Sequence, residues 1–172
     1  PRHPENRLGI VRAQAQVMLG SIRANKGQLQ KAAAMLEESR QVFREEGDGW
    51  WYLLATINLS PSYIYLGKLR ECEELLQEAL GGVKPGDFRL GFPLRHHLAF
   101  VLNLRQDYAR AEQLSQENLQ LSDQYVTFYQ TSSVLLRLGQ VALATRRVGE
   151  AEAYIQKSID IRSQSGHLFD LS

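Results

Sequence analysis

The stretch MLGSIRANKGQLQKAAAML, Met18 to Leu36, decides how the rest of the chain is read. It contains a Leu followed by a small residue (Leu19-Gly20), a polar turn (Asn25-Lys26-Gly27), and a second small residue, Ala32, twelve positions after Gly20. The same layout returns three times. Leu59-Ser60 is followed by Cys72, Leu98-Ala99 by Ala111 and Leu138-Gly139 by Ala151, so the second small residue recurs at intervals of 40, 39 and 40. A fixed period near 40 along the whole chain is the signature of a repeat architecture.

Within each unit the apolar residues fall at three- and four-residue steps, as in Leu29, Ala32, Ala33, Leu36 and in Leu69, Cys72, Leu75, Leu76. That spacing marks amphipathic helices. No sustained period-two alternation argues for strands. Small residues at matching points allow two helix backbones to approach, so Gly20 is expected to face Ala32, and Ser60 to face Cys72. Cys72 is then a small buried hydrophobe rather than a reactive thiol.

Between the paired helices lie Asn25-Lys26-Gly27, Gly67-Lys68, Arg105-Gln106-Asp107 and Arg146-Arg147. Gly27 and Gly67 suit the left-handed conformation that ends a helix. Asp107 nearly does, whereas the Arg146-Arg147 turn has no such residue and is expected to be tighter or strained. Gly47 stands fifteen residues after Ala32, Gly86 fourteen after Cys72 and Gly166 fifteen after Ala151, where each pair should end. Asp48 reads as the N-cap of the following helix. Trp50, in its first turn, is expected to wedge one pair onto the next, with Phe88 and Phe169 in like positions; Trp51 points elsewhere and is expected to be partly exposed or part of a surface contact. Pro61 falls inside a helix, removes a backbone hydrogen bond, and predicts a bend near Ile57–Pro61. Pro93 predicts a late or kinked start to the third unit.

The 172 residues carry 20 basic and 19 acidic side chains, a net charge of +1, which disfavours nucleic acid binding across a whole face. A single cysteine excludes an internal disulfide framework and points to a reducing, cytoplasmic setting. No apolar run is long enough to span a membrane. His96-His97 are adjacent, about 100° apart on a helix, and cannot chelate one metal as an i, i+4 pair does. No metal or phosphate motif is present, so no cofactor is expected. Glu37, Glu38, Glu73, Glu74 and Glu78 read as a solvated face beside basic residues. With no nucleophile–base constellation, the segment is not expected to be an enzyme.

Leu-small, a turn, then a small residue twelve positions on resembles the tetratricopeptide repeat in all four units, with helices longer than its usual period of about 34; HEAT and armadillo repeats share the longer period. Met35-Leu36-Glu37-Glu38-Ser39, Phe43-Arg44, Gly47-Asp48-Gly49-Trp50 and Asn58-Leu59 are similar in particular to the long repeats attached to bacterial signal-transduction ATPases and large LuxR-type transcription regulators. The resemblance implies an all-α, right-handed α-solenoid of about four antiparallel helix pairs in a single domain. Its repeats fall near 5–46, 48–84, 87–124 and 127–166, with 167–172 starting a truncated fifth repeat or capping the C-terminus.

It also implies a concave groove lined by the first helix of each pair. The groove positions are Val17, Ser21 and Ala24; Ile57, Pro61, Ile64 and Tyr65; His96, Phe100 and Asn103; Leu136, Gln140 and Leu143. Val17 and Ser21 stand where carboxylate-clamping co-chaperone repeats need Lys and Asn, which disfavours that partner class. An apolar groove with sparse polar points suits a protein or peptide partner, a helix or another domain of the same protein, within the regulatory part of a bacterial signalling or transcription protein. The alternative is a small-molecule effector held around Tyr65, His96 and Asn103. Self-association stays open, because the ends of such an array are uncapped.

Overall fold

The computed structural model describes the backbone of residues 4–84, 86–125 and 128–169, and side chains over 7–84, 86–121 and 128–164. Among the described residues there are eight helices and no strand: α1 (Pro4–Asn25), α2 (Leu29–Glu45), α3 (Gly49–Tyr65), α4 (Leu69–Gly81), α5 (Phe88–Leu104), α6 (Tyr108–Tyr125), α7 (Phe128–Ala144) and α8 (Val148–Phe169). They alternate first and second members of four helix pairs, and the fold class is an all-α solenoid. The chain divides into two compact units, residues 1–97 and 98–172, with the division inside α5. In the first unit α1 packs on α2, α2 on α3 and α3 on α4, with α1 also touching α3; in the second, α6 packs on α7 and α7 on α8.

Small residues sit where helices come close, though not always against the predicted neighbour. A side chain at Gly20 would start 2.7 Å from Leu36 Cγ, so its main contact is Leu36, four residues beyond Ala32. Gly139 is closed the same way by Ile155, at 2.8 Å, and by the Ala151 carbonyl at 3.4 Å. The second pair matches expectation: the Cys72 thiol donates to the Ser60 carbonyl at 3.6 Å. Burial first, and the Glu71 charge second, push that thiol up to about 12, so it stays protonated and inert at neutral pH.

All four intra-pair turns close identically. In the first, the Gln28 amide donates to the Arg23 carbonyl and the Gly27 amide to the Ala24 carbonyl, both at 2.9 Å. The same two bonds recur around Gly67, Gln106 and Arg146, and at the α2–α3 junction around Gly47. This is the Schellman closure, with the residue after the cap in the left-handed region. That residue has φ 74° at Gly27 and Gly67, 66° at Gln106 and 63° at Arg146. The fourth turn is therefore no tighter than the others; the expected strain resides in the backbone of Arg146. In the third turn Gln106, not Asp107, takes the left-handed conformation. Asp107 instead caps α6, accepting from the Arg110 amide at 3.4 Å.

Asp48 caps α3 as expected, accepting from the Trp51 amide at 3.3 Å. The expected wedge is formed by Trp51 rather than Trp50, although Trp51 stays partly exposed as expected. Trp51 stacks on the fully buried Phe43 of α2, with ring centroids 5.6 Å apart, and forms the wedge. Trp50 is 41% exposed, and the Arg89 guanidinium lies over its ring at 5.1 Å. The reason is register: Trp51 lies one turn before the buried Ala55, on the side of α3 that meets α2.

Other expectations are also corrected. Helix α5 begins at Phe88, five residues before Pro93, so that proline does not delay it. Helix α8 continues through Gly166, so this glycine ends no helix. The Phe169 side chain and residues 170–172 lie outside the described residues. Glu73 is buried rather than solvated.

Candidate functional site

Pro61 lies inside α3, which runs helical from Gly49 to Tyr65 around it. Without an amide at residue 61, the Ile57 carbonyl loses its helical donor. The Ser60 hydroxyl takes that place, donating to the Ile57 carbonyl at 2.9 Å. The same hydroxyl lies 2.6 Å from His97 Nδ1. Which of the two donates across this contact depends on the His97 tautomer. A serine beside the proline thus reduces the expected disruption and brings α3 against His97 of α5.

Of the residues expected to line a groove in the first unit, Ile57 and Pro61 are half-buried on one side of α3, and Ile64 next to them is nearly closed to solvent. Tyr65, the last residue of α3, is 74% exposed. His96 is half-buried and stacks on Phe92, with centroids 6.2 Å apart and ring planes at 4°. Two first-helix residues are not available to a partner. Val17 is fully buried, and Ser21 donates its hydroxyl to Asn58 Oδ1 of α3. Both are used in packing α1 against its neighbours.

In the second unit Phe100 and Gln140 are linked by a residue that the sequence reading missed. The Arg137 guanidinium sits 3.7 Å above the Phe100 ring centroid and donates from Nη1 to Gln140 Oε1 at 2.5 Å. Asn103, one turn along α5 from Phe100, has its Oδ1 buried without a hydrogen-bond partner among the described residues. Leu136 and Leu143 of α7 are exposed. The patch combines an aromatic face, a cation, an amide and an unmet acceptor, the mixture that anchors a polar backbone on an apolar surface.

A second feature of the first unit also escaped the sequence reading. Arg40 and Arg44 of α2 each donate to the Tyr52 hydroxyl, at 2.6 and 2.9 Å, and both pair with Glu78 of α4, Arg40 at 2.9 Å. Their guanidinium groups lie over the Tyr52 ring at 4.8 and 5.3 Å. Burial pushes the Glu78 carboxyl up, but the Tyr52 hydrogen bond and the two arginines outweigh it and hold the group below the usual carboxylate range. The Tyr52 hydrogen bond likewise raises Arg44. Beside this cluster, a hollow of about 350 Å³ is lined by Phe43, Arg44, Gly47, Gly49, Tyr52, Glu78 and Gly82. A neighbouring one of about 350 Å³ is lined by Trp50, Leu53, Lys84, Asp87 and Leu90, with Gly47, Gly49 and Gly82 shared. Among the described residues no three His, Cys, Asp or Glu side chains are grouped to hold a metal ion, and no helix is long and apolar enough to cross a membrane.

The Tetratricopeptide repeat family model matches residues 93–164. No curated protein matches the sequence. Among solved structures, BtubC (BKLC) from P. vanneervenii is similar at 20% identity and TM-score 0.76, over 90% of this chain and 64% of that one, so the chain spans less than two thirds of BtubC. A protein from Podosopora anserina, described as a kinesin light chain with nearly identical TPR-like repeats, is similar at 17% identity and TM-score 0.69, over 95% of this chain and 78% of that one. A variant of it gives 17% identity and TM-score 0.73, over 96% and 78%. At these identities the likeness is one of fold: residues 93–164 match the tetratricopeptide repeat, and the chain as a whole shares the fold of solved structures with TPR-like repeats.

Proposed function

We propose that the chain is a non-catalytic protein-interaction module whose first helices bind a peptide, a helix or a neighbouring domain. Tetratricopeptide repeats generally mediate protein–protein interaction, and proteins of this fold are typically non-catalytic scaffolds. The observation that carries the reading is the buried, unmet Asn103 Oδ1 one turn from Phe100. An acceptor in that state favours a ligand that brings an N–H group, which every peptide backbone does. Leu136, Gln140 and the Arg137–Phe100 stack complete this patch. Ile57, Pro61, Ile64, Tyr65 and His96 supply the corresponding surface of the first unit. The similarity of Met35–Leu59 to long repeats of bacterial signal-transduction ATPases and LuxR-type regulators supports a regulatory, cytoplasmic role in a larger bacterial protein.

The test is selection of displayed random peptides on the full chain, followed by binding titrations of the selected peptides. Asn103→Leu and Phe100→Ala are expected to weaken them by about tenfold, the equivalent of roughly 1.4 kcal/mol, whereas Trp50→Ala leaves them unchanged. Undiminished binding by both groove variants would remove the patch from the interaction. An effector-sensing role rests on a different observation, the hollow of about 350 Å³ beside Trp50. Its size lies in the range of small-molecule sites, roughly 300–1,000 Å³. That reading expects small-molecule ligands to raise the melting temperature of the native chain and not of Trp50→Ala.

A further inference from the structure

The segment that joins α4 to α5 begins with two glycines and a lysine, Gly81-Gly82-Val83-Lys84, without the spacing of a phosphate-binding motif. Within the first unit the structure sets it beside the α2–α3 turn. Gly82 and Lys84 from one side, and Gly47, Gly49 and Trp50 from the other, line the hollow of about 350 Å³ beside Trp50. Its apolar wall is the buried pair Leu53 and Leu90.

Both sides are fixed by backbone bonds. At the turn, the Asp48 amide donates to the Phe43 carbonyl at 2.9 Å, and the Asp48 carboxylate accepts from the Trp51 amide at 3.3 Å. On the facing segment, the Gly82 amide donates to the Ala79 carbonyl and the Asp87 amide to the Lys84 carbonyl, both at 3.0 Å. A side chain added at Gly47 or Gly49 would meet nothing within 4 Å, so the space beside the turn is open. A hollow held in this way needs little ordering when a ligand enters, which favours binding.

The charges at the hollow specify the sign of the ligand. Among the described residues, the Lys84 ammonium has no hydrogen-bond or ion-pair partner. The Arg89 guanidinium has only the face of Trp50, at 5.1 Å. The carboxylate in the lining, Asp87, is already engaged, because its Oδ1 accepts from the Leu90 amide at 3.3 Å and caps α5. Glu78, in the neighbouring hollow across the shared glycines, is held by Arg40 and Arg44. A cationic ligand would meet Arg89 on the ring of Trp50. An anion finds two positive groups that have no carboxylate of their own.

We propose that this hollow takes a small aromatic acid, its ring against Trp50, Leu53 and Leu90 and its carboxylate met by Lys84 and Arg89. The proposal rests on the effector-sensing reading and adds the chemistry of the ligand. A volume at the lower end of the small-molecule range keeps that ligand small. The probes are naphthoate, naphthylmethanol and naphthylmethylammonium, which share one ring system and differ in charge. Each is titrated into the isotope-labelled full chain while the Gly47, Gly49 and Gly82 amide signals and the Trp50 indole signal are followed by NMR. Naphthoate should shift these signals, bind at least about tenfold more tightly than the ammonium probe, and weaken as salt is raised. The double variant Lys84→Glu/Arg89→Glu, at exposed positions, should lose at least about tenfold in affinity for naphthoate. If that variant melts early, Lys84→Gln serves instead and should weaken naphthoate while leaving naphthylmethanol unchanged. Equal binding of the three probes at these signals, or full naphthoate binding by the variants, overturns the proposal and leaves the effector-sensing reading standing. No shift of these signals with any probe removes both.

Discussion

The first and fourth helix pairs share one packing contact and differ at one turn. In both, a glycine of the first helix, Gly20 or Gly139, lies against the residue four beyond the small position of the second helix, Leu36 or Ile155. In both, the same two backbone bonds close the turn. Yet the left-handed residue is glycine in one and arginine in the other, at φ 74° and 63°. The geometry of the pair therefore governs the turn more than local residue preference does. Once α7 and α8 are held by Ile155, Ala151 and the buried Ser158, which donates to the Ser132 carbonyl at 2.8 Å, the chain crosses between them by the one route available. The turn keeps its shape at the expense of strain. Arg147, next in sequence, is anchored by a two-pronged pair with Glu112 of α6, at 2.9 and 2.8 Å, which holds the C-terminal side of the turn.

The largest expected effect would break the shared contact. Gly20→Val and Gly139→Val each place a side chain within 3 Å of a packed neighbour, Leu36 or Ile155, and overpacking of this kind costs about 1–3 kcal/mol. Chemical denaturation should show comparable losses for both; a large loss at one and none at the other would mean that the two contacts are not equivalent. The turn comparison comes next. Arg146→Gly relieves a left-handed residue that costs roughly 1–2 kcal/mol and should raise the melting temperature, while Gly27→Arg should lower it by a similar amount. A neutral Arg146→Gly would show that the arginine side chain compensates for its backbone.

The smallest effect is electrostatic and belongs to the Tyr52 cluster of the first unit. Glu78, with its carboxyl held below its ordinary value, contributes stability that is present above the unfolded-chain value of about 4.3 and is lost as pH falls through the folded-state value. Glu78→Gln should therefore be less stable than the native chain near neutrality, with the difference shrinking as the medium is acidified below pH about 4. Because Glu78 is half-exposed, solvent screening keeps the effect small, and a difference that grew with acid would remove the carboxylate from the Tyr52 cluster.

Much of the architecture was legible in the residues. The 40-residue spacing announced four helix pairs; Gly27, Gly47 and Gly67 announced their left-handed closures; Asp48 announced a cap; Cys72 announced a buried contact with Ser60. These features depend on short-range chemistry, on periodicity and on backbone freedom, which a sequence displays directly. The candidate site was less legible. Val17 was read as groove-lining and is core, because helix periodicity names a stripe without saying which neighbour covers it. The wedge was read at Trp50 and is formed by Trp51 for the same reason: about 100° of rotation separates them, and only the docked position of α2 distinguishes the side that meets it. Arg137 and the Arg40–Arg44–Tyr52–Glu78 cluster left no local signal, since their members come from different helices.

By itself, then, the order of residues determined what each segment becomes: helices of a given length, turns of a given kind, and a period that repeats. Tertiary structure decided which face of each helix meets another. It stacked Trp51 on Phe43 while leaving Trp50 more open, placed Gln106 and Arg146 in a conformation that neither residue prefers, and set a serine beside Pro61 whose hydroxyl reaches the carbonyl it orphaned. Propensity and periodicity act over a few neighbouring residues, whereas the contacts that choose a face or impose a strained turn join atoms many residues apart and exist only once the helices have packed.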